Sequence, residues 1–447
     1  MTGAICGGLL LRPNDRTRAR WVRALAVDNP AYLAWLRHGK GQQPPRQVHP
    51  VGTQDGGPWR GGAVVPRYAP GMDEADAVDR TTCPTAEALT LRGELRPYQQ
   101  QAVEQAVEAG RGVVVAPTGA GKTVIGCGLI AAHDTPALIL VHARVLADQW
   151  VERIETFLGV EADVVGYGRK LPATVGRVTV ASLQTLARWS WHELHEWGAA
   201  FGLVIQDEAH HAPARTFCGV LGGLRGRHRY GLTATPSRED GLTPWMHATL
   251  GPTVAQVDHV ALERAGRVLR PTIRTWHAPE VDLDGMEPHE RAEALALCVP
   301  RNLGLTTEAR LLVARGHVVL ALVQLVEHAH SLAEIMAEHG LKSAPLVGDM
   351  KPLERAAVLD HMRAGRLDVV VATSLADEGL DAPRVSAVML TAPTRNIGRT
   401  LQRIGRALRP HEGAPNPVVV DVVDTWGPFR GYAQARRTAY VRHGWIS

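Results

Sequence analysis

In the stretch "VVVAPTGAGKTVIGCGLIAAH", residues 113–133, a β-branched run, a glycine-rich turn and an apolar helical pattern follow one another, which indicates a strand, a turn and a helix. The backbone N–H groups of such a turn and the positive end of the helix dipole form a concave anion site. Lys122 is placed to reach the β and γ phosphates of a nucleotide, and Thr123 to put its hydroxyl on Mg²⁺. The residues predicted to bind the nucleotide here are Thr118, Gly119, Ala120, Gly121, Lys122 and Thr123.

Two adjacent carboxylates, Asp207 and Glu208, follow the short apolar run of "LVIQDEAHHAP", residues 203–213. Adjacent like charges repel and each is costly to desolvate, so a cation is expected beside them. In a phosphate-loop fold, the acid that ends a neighbouring strand holds Mg²⁺ and the next acid deprotonates the attacking water. The pattern therefore predicts Asp207 as the magnesium residue and Glu208 as the catalytic base. No Cys or further acid completes a zinc set around His210 and His211, so a transition-metal site is not expected.

Short β-branched runs alternate with helical stretches from about residue 91 onward, which favours parallel α/β sheets. The pattern occurs twice, so we predict an α/β protein with two tandem parallel-sheet domains after a small basic N-terminal domain. The predicted boundaries are 1–88 for the N-terminal domain and linker, 89–250 for the first α/β domain, and 251–447 for a linker and the second. The predicted strands are 113–116, 137–141, 178–182, 203–206, 230–235, 317–323, 343–348, 367–374, 385–391 and 418–423.

The composition is that of a globular protein, with 447 residues, 45% hydrophobic and 21% charged. The five cysteines are isolated, which favours a reducing compartment and argues against a disulfide framework. No apolar run approaches the roughly 18 residues that span a bilayer, and no charged segment precedes the short apolar N-terminus. The sequence therefore predicts a cytoplasmic protein without membrane contact.

Positive charge is concentrated at the N-terminus, where residues 1–70 hold nine Arg and one Lys against three Asp. The whole chain has a formal net charge of +4, so the remainder is slightly acidic. Two segments, 16–27 and 30–39, carry apolar residues at helical spacing, whereas 39–62 and 66–85 are rich in Gly and Pro and are interpreted as loop or linker. We expect the arginines to contact nucleic-acid phosphates, and the aromatic residues among them to stack on bases or form a core.

Taken together, these residues resemble the superfamily 2 helicases over about residues 91–425. The segment "LRPYQQQAV" (95–103) looks like the adenine-reading motif, which implies that Gln99 contacts the base with Arg96 nearby. "LILVHARVLADQW" is similar to motif Ia and "VTVASLQTL" to motif Ic, which implies nucleic-acid contacts by Arg144, Ser182 and Gln184. The resemblance implies that both sheet domains are RecA-like, that "DEAH" is motif II and that "LTATP" is motif III. In motifs II and III, His210, Thr233 and Thr235 are expected to link hydrolysis to movement.

The second domain carries the remaining motifs. "VVVATSLADEGLDAP" resembles motif V, which implies nucleotide contacts by Gly379 and Asp381 and strand contacts by Thr373 and Ser374. In "RNIGRTLQRIGRALRP" (395–410), the spacing i, i+4, i+7 puts three polar residues on one helix face. The similarity of this segment to motif VI implies that the arginines of this face reach across the cleft to the γ-phosphate, where such groups act on phosphoryl transfer. The three residues on this helix face are Gln402, Arg406 and Arg409, and the two arginines are the ones expected to reach the γ-phosphate.

Within the superfamily the resemblance is to XPB-type DNA helicases and their phage and viral relatives of the UvsW type. "GLTATPSREDG" (231–241) has an Arg-Glu-Asp stretch directly after motif III, as that group does. The resemblance implies that Arg238, Glu239 and Asp240 lie beside DNA, and a solvated helix start is the alternative. The chain departs from the pattern at Ala116, where the phosphate-loop motif has Gly, and at Gln206, where an apolar residue is usual.

These features predict an ATP-dependent DNA helicase or translocase that uses ATP and Mg²⁺ and acts on single-stranded, duplex or forked DNA. A duplex or branched-DNA translocase without processive strand separation is the nearest alternative. An RNA helicase is less favoured, because the motifs read DEAH and TAT with a trailing RED. A DNA-binding scaffold that senses ATP without hydrolysing it is a further alternative, disfavoured by the intact Lys122, Glu208 and Arg406.

Overall fold

In a computed structural model of the protein, the chain forms two compact units, Met1–Asp258 and His259–Ser447. Each unit is built around its own parallel β-sheet. In the part of the chain that the structure describes, none of the helices combines the length and the apolar character that spanning a bilayer requires. The residues that the structure describes are 3–6, 8–11, 26–28, 47–48, 52–53, 63–66, 77–79, 81–117, 119–168, 174–211, 215–234, 243–264, 269–373, 384–393, 413, 415–442 and 444–446.

The N-terminal part of the first unit contains short strands. The predicted helical stretches 16–27 and 30–39 lie almost entirely outside the described residues. The interpretation of 39–62 and 66–85 wholly as loop is wrong, because strands of two to four residues lie within these segments or overlap them. Strands this short are missed because they are too short to show an alternation of apolar and polar residues in the sequence. Five of the strands form one sheet in the order β5-β6-β2-β1-β7, and β3 pairs with β4. Their bounds are β1 (Gly3–Cys6), β2 (Gly8–Leu11), β3 (Val27–Asp28), β4 (Gln47–Val48), β5 (Gly52–Thr53), β6 (Ala63–Pro66) and β7 (Ala77–Asp79).

The large sheet of the first unit has seven strands, and every neighbouring pair in it is parallel. Its central strands are buried along their whole length, which explains their continuous apolar runs. The bounds are β8 (Arg111–Val115), β9 (Ala137–Val141), β10 (Asp163–Val165), β11 (Val178–Ser182), β12 (Leu203–Gln206), β13 (His228–Thr233) and β14 (Thr253–Gln256). Their order is β10-β11-β9-β12-β13-β8-β14.

Helices connect these strands and cover the sheet. The first helix has Pro97 at its first position and is capped after Ala109 by Gly110, whose φ of 68° is left-handed, a common arrangement for a helix start and stop. The bounds are α1 (Pro97–Ala109), α2 (Lys122–Ala131), α3 (Arg144–Leu158), α4 (Leu183–Leu186), α5 (Trp191–Gly198), α6 (Arg215–Gly223) and α7 (Thr243–Leu250). Strands β2 and β6 of the N-terminal sheet contact α6, so within the first unit this small sheet packs against a helix that covers the large one.

The second unit repeats the architecture with a six-stranded parallel sheet in the order β15-β20-β19-β16-β18-β17. One apolar cluster, which includes Val319 and Ala321 of the sheet and Leu305 and Leu332 of the helices, fills the space between this sheet and its helices. The strands are β15 (Thr272–His277), β16 (Val318–Val323), β17 (Ser343–Leu346), β18 (Val369–Thr373), β19 (Val385–Leu390) and β20 (Val418–Val423). The helices are α8 (His259–Arg264), α9 (Pro288–Leu297), α10 (Val299–Val313), α11 (Val326–Glu338), α12 (Pro352–Arg363) and α13 (Gly427–Arg442).

The ten strands predicted from 113 onward are all present within two residues of their expected bounds. Three further strands, β10, β14 and β15, were not predicted. Each lies at the edge of its sheet, where a strand has one neighbour and needs no continuous apolar run.

Candidate nucleotide site and nucleic-acid edge

The order of the first unit's sheet brings together the predicted ATP-site residues of this unit that the structure describes. Strands β8 and β12 both pair with β13, so their carboxyl ends lie on either side of the carboxyl end of β13. The phosphate loop follows β8, the acids Asp207 and Glu208 follow β12, and Thr233 ends β13. In open parallel sheets, ligands bind outside the carboxyl ends of the strands.

The phosphate loop has the backbone that its glycines predict. Gly119 and Gly121 have φ values of 91° and 78°, which a side chain would strain. The amide of Ile125 donates to the Gly121 carbonyl at 3.0 Å, so the helix α2 starts directly after the loop. The structure therefore places Lys122 and Thr123 in the first turn, where the backbone N–H groups attract anions.

Gln99, the predicted base contact, lies against this loop and is only 2% exposed. Its side-chain amide donates to the Ala120 carbonyl at 2.8 Å, and its side-chain oxygen accepts from the Arg96 amide at 3.1 Å. A Cβ added at Gly121 would lie 2.6 Å from the Gln99 amide nitrogen. Gln99 thus supports the loop directly, while the half-buried Arg96 contacts the Tyr98 hydroxyl at 3.4 Å.

Glu208 lies between two potential cations. Its Oε1 is 3.2 Å from Lys122 Nζ, and its Oε2 is 3.4 Å from His210 Nδ1. The same imidazole nitrogen is 3.3 Å from the Thr233 hydroxyl. A continuous polar chain therefore runs from the phosphate loop through Glu208 and His210 to the end of β13.

Asp207 is buried, with 6% of its surface exposed. Burial, reinforced by the neighbouring charge of Glu208, raises the pKa of its carboxyl group, while Lys122 and a hydrogen bond from Trp150 act in the opposite direction. A bound divalent cation would favour the charged form and relieve this cost. The Asp207 carboxylate and the Thr123 hydroxyl are oxygen donors of the kind that Mg²⁺ prefers, so the residues present fit a magnesium ion.

The backbone bends sharply at Glu208, whose φ of 47° is unusual for a residue with a side chain. At this bend the Glu208 amide donates to Asp207 Oδ1 at 2.9 Å. Gln206, the departure from the usual apolar residue, is fully buried and donates from its side chain to the Asp207 carbonyl at 2.7 Å. The acids are therefore held by their own local backbone as well as by the sheet.

Three predicted nucleic-acid residues that the structure describes in the first unit, Arg144, Ser182 and Gln184, lie at the carboxyl ends of β9 and β11. Arg144 is exposed at the start of α3, directly after the loop that follows β9. Ser182 is buried and caps α4 through its hydroxyl, so the chain itself uses that group. Gln184 is exposed and donates to the His142 carbonyl at 2.7 Å, which ties the two loops together. In the second unit, Thr373 ends β18 and is 3% exposed.

Several predicted site residues lie outside the described residues, and their predictions stay predictions. They are Thr118, Thr235, Arg238, Glu239, Asp240, Ser374, Gly379, Asp381, Gln402, Arg406 and Arg409.

The structure adds Trp150, which the sequence reasoning missed. Its indole Nε1 donates to Asp207 Oδ2 at 2.8 Å. In the sequence it is one of the apolar residues on the buried face of α3, together with Ala147 and Ile154. No periodic signal separates a tryptophan that only fills a core from one that also donates to a buried carboxylate.

The fold and this site define a phosphate-loop nucleotide-binding protein with two parallel-sheet domains. Residues 92–238 match the family described as type III restriction enzyme, res subunit, and residues 304–411 match the helicase conserved C-terminal domain. The chain is therefore similar to the superfamily 2 helicases over both of its parallel-sheet domains.

The similar proteins agree with this assignment. The Haloarcula marismortui protein named "Putative DNA 3'-5' helicase Rad25" is 30% identical over 77% of this chain and 55% of its own length. The DNA 3'-5' helicase XPB of Kineococcus radiotolerans is 28% identical over 78% of this chain and 63% of its own. The structure of S. cerevisiae Dbp5 bound to RNA and ADP BeF3 has a TM-score of 0.56 and 16% identity, covering 78% of this chain and 88% of that one. This chain thus spans little more than half the length of the first relative, and Dbp5 shows the shared RecA-like fold alone.

Proposed function

We propose that this protein is an ATP-dependent DNA helicase or translocase that hydrolyses ATP with Mg²⁺. The observation that carries the proposal is the contact of Glu208 with Lys122 of the phosphate loop, beside the buried Asp207. Phosphoryl transfer depends mainly on positioning and on charge stabilisation, and these three residues supply both.

In this proposal, Lys122 exchanges its ion pair with Glu208 for the β and γ phosphates when ATP binds. The exchange leaves the Glu208 carboxylate free to accept a proton from the attacking water, with His210 holding its other oxygen. Asp207 and Thr123 would hold Mg²⁺, which neutralises charge on the phosphates when bound. The polar chain from Glu208 through His210 to Thr233 connects the reacting end of the nucleotide to the neighbouring strand.

We propose DNA as the substrate and 3'-to-5' movement, because the names of both relatives describe a DNA 3'-5' helicase. Arg144 and Gln184 lie at the carboxyl edge of the sheet and are exposed, as a backbone-contacting surface requires. An RNA substrate is the rival, and the Dbp5 likeness does not favour it because it concerns the fold alone.

One experiment tests the substrate directly. ATPase rates are measured with single-stranded DNA, duplex DNA, forked DNA and RNA at matched nucleotide concentration and fixed salt. DNA should stimulate hydrolysis more than RNA, and Glu208→Gln should show no stimulation. Stimulation by RNA alone would overturn the DNA assignment. Nucleotide binding without turnover would instead indicate a DNA-binding scaffold that senses ATP without hydrolysing it.

A second experiment separates strand separation from translocation. Duplexes with a 3' or a 5' single-stranded tail are incubated with protein and ATP. Two quantities are measured, the release of the separated strand and the displacement of streptavidin bound to the DNA as a block. Release from the 3'-tailed substrate supports the helicase proposal. Block displacement without release indicates a translocase, and a preference for the 5' tail contradicts the proposed direction.

A further inference from the structure

Trp150 occupies an unusual place for a buried aromatic residue. It lies on α3 and is 1% exposed, yet its one polar atom donates to a carboxylate at 2.8 Å. A buried Trp N–H needs a partner, but a backbone carbonyl would satisfy it equally well. The partner here is Asp207, the residue that the fold and the donor chemistry assign to Mg²⁺.

The two oxygens of Asp207 have different partners. Oδ2 accepts from Trp150, and Oδ1 accepts from the Glu208 amide at 2.9 Å. The torsion that rotates a carboxylate plane is broad, so two donors on different oxygens restrict a motion that the side chain alone leaves free. The Glu208 donor is local to the turn, whereas Trp150 lies 57 residues away and fixes the carboxylate against a different element.

The ring of Trp150 also touches the helix of the phosphate loop. A Cβ added at Gly126 would lie 2.3 Å from Trp150 Cη2, so only glycine leaves room for the indole. Gly126 lies in α2, the helix that begins with Lys122 and Thr123. One rigid side chain therefore packs on the phosphate-binding helix and donates to the acid at the end of β12.

We propose that Trp150 is a positioning residue for Mg²⁺, setting the orientation of the Asp207 carboxylate relative to the phosphate-binding helix. The inference rests on the proposed function, because it takes Asp207 as the magnesium residue. Outer-shell hydrogen bonds to metal-binding groups typically contribute about 10- to 100-fold in metal affinity. The loss of the Trp150 donor should therefore weaken Mg²⁺ binding while leaving magnesium-free nucleotide binding nearly unchanged.

The test compares wild type with Trp150→Phe, which keeps an aromatic ring and removes the donor. The probe is ADP with a fluorescent N-methylanthraniloyl group, titrated once in Mg²⁺ and once in EDTA. The affinity gain that Mg²⁺ gives wild type should fall by about tenfold or more in the variant, with EDTA affinity within about twofold. The Mg²⁺ concentration for half-maximal ATPase should rise by a similar factor, and excess Mg²⁺ should restore the rate.

Two matched pairs separate positioning from simple packing. Trp245→Phe changes a tryptophan of the same unit that is also 1% exposed, and it should not alter the Mg²⁺ requirement. Gly126→Ala should reproduce the Trp150→Phe shift by displacing the ring. Gly128→Ala overpacks the same helix against Val103, 2.9 Å from the added Cβ, and should affect thermal stability alone.

The outcomes distinguish this inference from the proposed function. Equal loss of affinity in Mg²⁺ and EDTA, or an unchanged Mg²⁺ requirement in Trp150→Phe, would overturn the positioning role while leaving the ATPase proposal intact. Wild-type protein without any Mg²⁺-dependent gain in nucleotide affinity would instead overturn the assignment of Asp207 and with it the proposed function.

Discussion

Glu208→Gln is the sharpest test of the proposed chemistry, because the substitution keeps the shape of the side chain and removes its charge. Glu208 contacts Lys122 at 3.2 Å and His210 at 3.4 Å, and 20% of its side chain is exposed. A glutamine can still donate and accept hydrogen bonds here, but it cannot take a proton from water. Binding and turnover should therefore respond differently.

The expected size follows from the role. General-base catalysis contributes about 10²- to 10⁴-fold, which corresponds to roughly 3–5 kcal/mol of activation free energy. The ion pair that holds Lys122 is partly exposed, so its net value is on the order of 1 kcal/mol or less. Loss of that pair frees Lys122 for phosphate, and nucleotide affinity should stay equal or rise by up to about fivefold.

The assay combines DNA-stimulated ATPase under saturating ATP with fluorescent-nucleotide binding. Lys122→Ala is the contrast, since it should lower both affinity and rate. Glu196→Gln is the matched control, because it removes a Glu–His pair of 3.3 Å from the exposed surface of α5 and should change neither quantity. A Glu208→Gln protein that turns over ATP at more than a tenth of the wild-type rate would refute the assignment of the base.

Arg406, two buried histidines and the N-terminal arginines each offer a further test. Arg406→Ala should lower the ATPase rate by at least about 10³-fold with little change in nucleotide affinity, and a collapse of affinity instead would show a ground-state contact. Burial holds the pKa of His133 and of His328 at about 4, so both stay neutral when folded. In the unfolded chain these histidines protonate near pH 6.5, so the free energy of unfolding should decrease as the pH drops from about 6.5 to about 4. Denaturant midpoints measured over this pH range should decrease less in a variant with both histidines replaced by Gln. An equal decrease in the variant would show that the two histidines are not the cause. Replacing the four arginines between residues 16 and 23 by Gln should make the slope of log affinity for DNA against log salt shallower by about two to four units, and an unchanged slope would assign them another role.

Much of the fold could be predicted from the sequence because its signals are local. Buried central strands such as β9 and β12 appear as continuous apolar runs, and the phosphate loop is recognised from glycines and a lysine within a few residues. The edge strands β10, β14 and β15 escaped prediction, since they are short or half-exposed and resemble loops. The sequence also predicts catalytic roles for Lys122 and Glu208, and the strand order brings these two side chains within 3.2 Å of each other at the carboxyl edge of the sheet.

The partners within the site were decided by the tertiary structure alone. Trp150 lies on the amphipathic face of α3 like any core residue, and only the packing of α3 against α2 brings its indole to Asp207. Gln99, expected to read a base, is also buried as a support of the phosphate loop through the Ala120 carbonyl. Hydrophobic period and motif spacing describe what each segment does by itself. Contacts between residues tens of positions apart depend on strand order and on the space that a glycine such as Gly126 leaves open, and neither is encoded in any single segment.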